Sequence, residues 1–172
     1  MMSEADPLTL VLVGPMAAGK TSIGRRVARR LGVPFIDTDK RIAREHGPIP
    51  AIFEEYGEPH FRQLERAAVA AALEEAGVVS LGGGAVTDAA TRALLLPHPV
   101  AFLTVSPEAV ADRIRGGGRP LLAGDDPLER WTRIFEERRG WYDEVATRVF
   151  DTSRRPMQRV ADEIVTWRRE QR

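Results

Sequence analysis

The chain has 172 residues, 43% of them hydrophobic and 29% charged, which predicts one globular domain spanning 1–172. The formal net charge is zero, so neither nucleic acid nor an anionic membrane is expected as a partner. No cysteine is present, which excludes disulfides and thiolate chemistry. The N-terminal residues are acidic and lack the apolar core of a signal peptide, so a cytoplasmic location is expected.

Apolar runs that are typical of strands alternate along the chain with amphipathic runs that are typical of helices. The pattern predicts strands over 8–14, 34–39, 77–84, 100–106 and 148–153. It predicts helices over 21–31, 40–46 and 59–75, and helices that begin near Pro107 and Pro156. Alternation of this kind implies an α/β fold, a five-stranded parallel sheet with helices on both faces. A glycine-rich segment within 113–127 interrupts the helical pattern and is interpreted as a lid.

The segment Gly14–Thr21, GPMAAGKT, has the spacing G-x-x-x-x-G-K-[ST] between a predicted strand and a predicted helix. This motif binds nucleotide phosphates through backbone N–H groups and the helix N-terminus. Lys20 would reach the β- and γ-phosphates, and the Thr21 hydroxyl would ligate Mg²⁺. Of the 25 Lys and Arg residues only Lys20 and Lys40 are lysines, so a lysine in this loop indicates a need for a compact ammonium.

Two carboxylates, Asp37 and Asp39, follow the second predicted strand. On an extended strand this spacing would point both to the same face. Asp37 would then support Mg²⁺, while Asp39 would accept a hydrogen bond from the acceptor hydroxyl. A helix cap at Asp39 is the alternative, and the residues alone favour neither reading.

The sequence resembles the shikimate kinases, which are P-loop small-molecule kinases related in fold to nucleoside monophosphate kinases. The resemblance extends from the first strand to about Ser153. It rests on these segments in order: GPMAAGKT, FIDTD, IFEEYGEPHFRQLE, SLGGGAV, RPLLAG, and an Arg-x-x-x-Tyr formed by Arg138 and Tyr142. The chain departs from the family at Ala17, where members usually carry glycine.

The resemblance implies transfer of the ATP γ-phosphoryl group to the 3-hydroxyl of shikimate, in aromatic amino acid (chorismate) biosynthesis. It also implies an acceptor-binding helical region at about 39–66. Asp39 would hold the acceptor hydroxyls, Arg62 and Arg138 the carboxylate, and Arg119 would reach the phosphates with the lid. The remaining implied roles are nucleotide binding by Gly14, Ala17, Ala18, Gly19, Lys20, Thr21, Ser22, Arg113 and Arg155, and acceptor binding by Gly82, Gly83 and Gly84. ATP and shikimate would be the small-molecule partners of a monomer.

Physical chemistry favours these roles, because a guanidinium binds a carboxylate through two parallel hydrogen bonds. Consecutive glycines also let backbone groups approach a ligand closely. The three tryptophans are expected to pack in the core. Alternatives are another small P-loop kinase, such as a gluconate kinase, and a non-catalytic nucleotide-binding protein of the same fold. An adenylate kinase would lack the LGGGAV turn.

Overall fold

The computed structural model describes residues 9–116 and 126–171. It contains five strands in this part of the chain, all parallel, in the order β2-β3-β1-β4-β5. Their bounds are β1 Leu10–Val13, β2 Phe35–Asp37, β3 Val78–Ser80, β4 Val100–Thr104 and β5 Arg148–Asp151. The predicted five-stranded parallel sheet is confirmed, and each observed strand lies within its predicted run.

Helices connect the strands. Their bounds are α1 Lys20–Leu31, α2 Thr38–His46, α3 Ile49–Tyr56, α4 Glu58–Leu73, α5 Ala89–Leu95, α6 Pro107–Gly116, α7 Pro127–Val145 and α8 Met157–Glu170. A short 3₁₀ turn, Ala85–Thr87, follows the glycines after β3. Three helices, α3, α5 and α7, had no bounds predicted from the sequence.

The main core lies between the sheet and the helices that cover it. The central strand β1 is fully buried, as its four apolar residues require. Helix α1 packs against α8, and α7 contacts β4. A second, smaller core joins α2, α3 and α4 through Ile42, Ile52 and Phe61. This second core gives the predicted acceptor region its own packing.

Within the described residues, none of the helices has the length and apolar character needed to cross a bilayer.

Candidate active site

A cavity of about 580 Å³ lies beyond the carboxyl ends of β1, β2 and β3. Its walls are the loop after β1, the start of α2, the glycine turn after β3 and one face of α7. In parallel α/β sheets this edge is where ligands bind. The sequence motifs therefore meet in one place.

The loop after β1 leaves the N-terminus of α1 open to an anion. Gly19 precedes α1 and supplies no side-chain cap, and the first turn of α1 contains no acidic residue. The N–H groups of the first turn have no carbonyl partner within the helix, and this positive end of the helix dipole lies at the cavity. Thr21 and Ser22 also line the cavity at this helix end.

Ala17 has a φ of 68°, in the left-handed region that favours glycine. This conformation costs a non-glycine residue about 1–2 kcal/mol. The cost gives a physical reason why glycine would be favoured at this position.

Neighbouring elements hold the loop in this conformation. Arg113 on α6 donates a hydrogen bond of 2.5 Å to the Ala17 carbonyl, and it also donates to the Thr152 carbonyl. The Thr152 hydroxyl, fully buried after β5, donates to the Ala18 carbonyl at 2.8 Å. The structure thus places Arg113, a predicted nucleotide-binding residue, between the loop and the end of β5.

Lys20 donates hydrogen bonds to the carbonyls of Gly14 and Pro15, at 2.7 and 2.9 Å. Burial lowers the pKa of its ammonium to about 8, although Asp39 and Asp37 act in the opposite direction. An incoming phosphate would supply the negative charge that this buried ammonium favours.

The two carboxylates do not lie together on a strand, and that expectation is wrong. Strand β2 ends at Asp37 and α2 begins at Thr38, so Asp39 lies in the first turn of a helix. The cap is Asp37, whose carboxylate accepts from the Lys40 N–H at 3.2 Å. Buried Thr38 fixes the helix start by donating to the Ser80 carbonyl on β3. Both carboxylates nevertheless line the cavity.

The turn formed by Gly82, Gly83 and Gly84 lies directly against two predicted acceptor-binding side chains. A Cβ on Gly82 would lie 2.5 Å from Oδ1 of Asp39, and one on Gly84 would collide with the Arg62 guanidinium. Glycine is therefore required for these close approaches. Burial, with a further contribution from the charge of Asp37, raises the pKa of Asp39.

Arg62 is held by two acids of its own helix, α4. It donates to Glu65 at 2.7 Å and to Glu58 at 3.1 Å. Glu65 is buried, and burial raises its pKa to about 7 despite the nearby charge of Arg62. Glu65 was not predicted as a site residue. The sequence indicates its pairing with Arg62 only through the three-residue spacing that brings two side chains together on a helix.

Helix α7 contributes one continuous face to the cavity. Trp131, Phe135, Arg138 and Tyr142 line it, at the spacing of residues on one helix face. Trp131 packs on Phe135, as predicted, and its Nε1 also donates to the Met16 carbonyl in the phosphate loop at 2.8 Å. Arg139, in contrast, is exposed.

Arg155, a predicted nucleotide contact, is not among the residues that line the cavity. Arg155 donates to Glu163 at 2.5 Å and to the Asp151 carbonyl. Arg119 and most of the predicted lid lie outside the described residues.

A phosphate loop after β1, the strand order of the sheet and a carboxylate facing that loop across one cavity define a P-loop kinase of small molecules. Comparison with known proteins gives the family. The sequence model of the family described as shikimate kinase matches residues 16–169, so the chain belongs to the shikimate kinase family. The family predicted from the motifs is confirmed.

Individual relatives agree with the family match. A shikimate kinase of Corynebacterium efficiens is 47% identical over 156 residues, which are 89% of this chain and 92% of that protein. One of Saccharopolyspora erythraea is 50% identical over 143 residues, 80% of each chain. A solved shikimate kinase of Acinetobacter baumannii, in complex with shikimate, superposes with a TM-score of 0.85 at 34% identity, covering 95% of this chain and 94% of that one.

Proposed function

We propose that this protein transfers the γ-phosphoryl group of ATP to the 3-hydroxyl of shikimate, in aromatic amino acid biosynthesis. The observation that carries the proposal is the cavity, which joins a phosphate loop to a carboxylate and an arginine. A carboxylate binds hydroxyl groups and a guanidinium binds a carboxylate. Shikimate, a carboxylated triol, presents both groups.

On the donor side, we assign phosphate binding to the loop amides, Lys20 and the Thr21 hydroxyl. Among the described residues no three acidic or histidine side chains form a metal site. Mg²⁺ needs no such cluster, because it binds one or two protein oxygens together with phosphate oxygens and water. Thr21 and Asp37 line the same cavity and suit this role. Bound there, Mg²⁺ would neutralise phosphate charge.

On the acceptor side, Asp39 would accept hydrogen bonds from neighbouring hydroxyls and orient the attacking oxygen. Arg62 and Arg138 would bind the carboxylate, and the glycine turn would lie beneath the ring. Phosphoryl transfer depends mainly on position and charge stabilisation. Orientation by Asp39 therefore contributes more than proton removal, although the carboxylate can also take up the hydroxyl proton.

The lid, about 113–127, is proposed to close over both substrates and to bring Arg119 to the phosphates. Closure would exclude water, the competing acceptor. Arg113 and Arg155 are proposed to lie near adenine. A monomeric state and a cytoplasmic location remain predictions of the sequence.

The alternative acceptor, gluconate, has weaker support. A gluconokinase of Sinorhizobium meliloti is 22% identical with a TM-score of 0.61, a likeness that extends to the fold alone. A non-catalytic nucleotide-binding protein would need neither the carboxylate of Asp39 at the cavity nor the guanidinium of Arg138.

The test is an ADP-release assay with shikimate, gluconate and AMP as parallel acceptors. We expect ATP- and Mg²⁺-dependent turnover with shikimate well above that with the other two. Faster turnover of gluconate or AMP would contradict the proposal, and ATP binding without turnover of any acceptor would favour the non-catalytic alternative.

A further inference from the structure

Tyr142 has a hydroxyl group that joins two parts of the acceptor side of the cavity. The residue is 1% exposed. Its hydroxyl lies 2.5 Å from the carbonyl oxygen of Gly83, the central residue of the glycine turn. The charge of the Arg138 guanidinium, one helical turn earlier on α7, acts on the same hydroxyl and opposes the rise in its pKa.

The chemistry of Gly83 and Arg138 sets how each can interact with the phenol. A carbonyl oxygen can only accept, so the phenol donates its single proton to Gly83. A guanidinium can only donate, so the lone pairs of the phenol oxygen are what Tyr142 presents to Arg138. Burial raises the pKa of the Tyr142 phenol to about 12, which keeps this donor protonated at neutral pH.

The ring of Tyr142 packs against two phenylalanine rings that are also neighbours of each other. It stacks on Phe102 of β4, with ring centroids 5.1 Å apart, and on Phe135 of α7, at 6.2 Å. Helix α7 therefore cannot shift along the sheet without moving this hydroxyl. Packing in the core therefore fixes the position of the Tyr142 hydroxyl, and the hydroxyl in turn restrains Gly83 and Arg138.

The carbonyl that accepts from Tyr142 belongs to Gly83, which lies between Gly82 and Gly84. These two glycines lie against acceptor-binding side chains. Gly82 lies against Asp39, and Gly84 lies against Arg62. A movement of the turn would therefore alter the space available to both side chains. One hydroxyl group connects the turn to Arg138, which lies 3.6 Å from the Cβ position of Gly83.

We propose that Tyr142 is a positioning residue for the acceptor, which fixes the Arg138 guanidinium and the glycine turn as one unit. This inference rests on the proposed function, because Arg138 and the turn are assigned there to shikimate. Tyr142 contacts neither the nucleotide nor the reacting hydroxyl in this scheme. Its effect should therefore appear in acceptor binding and leave nucleotide binding unchanged.

The test is Tyr142→Phe, which keeps the stacked ring and removes only the hydroxyl. We expect the KM for shikimate to rise about tenfold, the effect of losing one polar interaction that positions a charged group. The KM for ATP and the affinity for ADP should stay within about twofold, the scatter expected of an unrelated change. Saturating ATP stabilises the folded form, so the shikimate KM can be measured even for a weakened variant.

The matched control is Thr9→Val. Thr9 is fully buried and its hydroxyl donates to the Leu73 carbonyl at 2.9 Å, so valine removes the same kind of bond. Thr9 precedes β1 and therefore lies at the amino end of this strand, whereas the cavity lies beyond its carboxyl end. Both Thr9→Val and Tyr142→Phe should lower the thermal midpoint, but Thr9→Val should change neither KM.

A double-mutant cycle with Arg138→Ala decides whether Tyr142 acts through Arg138. The proposal expects Tyr142→Phe to raise the shikimate KM much less when Arg138 is already absent. Equal effects in both backgrounds, or a KM for shikimate like that of Thr9→Val, would overturn it. Wild-type turnover measured in the same assay separates a failure of this inference from a failure of the proposed function. If wild type prefers another carboxylated acceptor, the same KM comparison is made with that acceptor.

Discussion

Substitution of Gly82 by alanine should move the Asp39 carboxylate without altering any charged group. Gly82 has no positive φ, so alanine can adopt its backbone conformation. The new Cβ would lie 2.5 Å from Oδ1 and 2.8 Å from Oδ2 of Asp39, whereas ordinary contact begins at 3.4 Å. The nearer oxygen must therefore retreat by about 0.9 Å, the difference between 3.4 and 2.5 Å.

A displacement of about 1 Å at a reacting group can lower the rate about 10²-fold. We therefore expect Gly82→Ala to reduce kcat for shikimate by about 10²-fold, with little change in ADP affinity. The assay is ADP release at saturating ATP and shikimate, with ADP affinity measured separately on the same preparation.

The matched control is Gly140→Ala on α7, where a Cβ would meet nothing within 4 Å. That change should leave kcat unaltered and raise stability by about 0.5–1 kcal/mol through helix propensity. Near-normal kcat in Gly82→Ala would refute the argument that the turn sets the orientation of Asp39.

Three further predictions concern charge and backbone strain. Because burial lowers the pKa of Lys20 to about 8, ADP binding near pH 8 should take up a proton and weaken as pH rises further; calorimetry in two buffers measures this uptake, and Lys20→Arg should remove it. Arg138→Ala should raise the shikimate KM about tenfold or more, whereas Arg139→Ala, at an exposed position, should leave it unchanged. Equal effects of the two variants would show that Arg138 is the wrong arginine of the Arg-x-x-x-Tyr pattern. Ala17→Gly and Ala76→Gly both relieve a positive φ, so each should raise the unfolding free energy by about 0.5–1 kcal/mol. Only Ala17→Gly, which lies in the phosphate loop, should also change the affinity for ADP. Destabilisation of either variant in thermal unfolding would contradict this.

The sheet was predictable because its strands are short apolar runs with clear boundaries, such as Val100–Thr104. Strand order was not, since the position of β1 between β3 and β4 depends on contacts between distant segments. Helix α3 is only eight residues long and lies between Gly47 and Gly57, so its periodicity is brief. The periodicity of apolar residues alone is therefore too short to predict where this helix begins and ends.

The site was predictable where one residue type has one chemical use, as with Lys20 in the phosphate loop. The site was less predictable where the preference of one residue for a helix cap competes with the apolar pattern of a strand. Asp37 favours the N-cap of a helix, and this preference ends β2 two residues earlier than the apolar pattern suggested. The roles of Glu65 and Thr152 depend on burial and on partners that the sequence does not display.

The two halves of the cavity draw on the chain in different ways. The phosphate loop is a single short segment, so its residues can be inherited or transplanted together. The acceptor side draws on α2, α4, the turn after β3 and α7, which are far apart in sequence. A new acceptor therefore demands coordinated changes in four distant segments, each tied to its neighbours by close contact. Because one substitution alters only one of these segments, laboratory evolution by single substitutions should change the molecule that is phosphorylated only slowly.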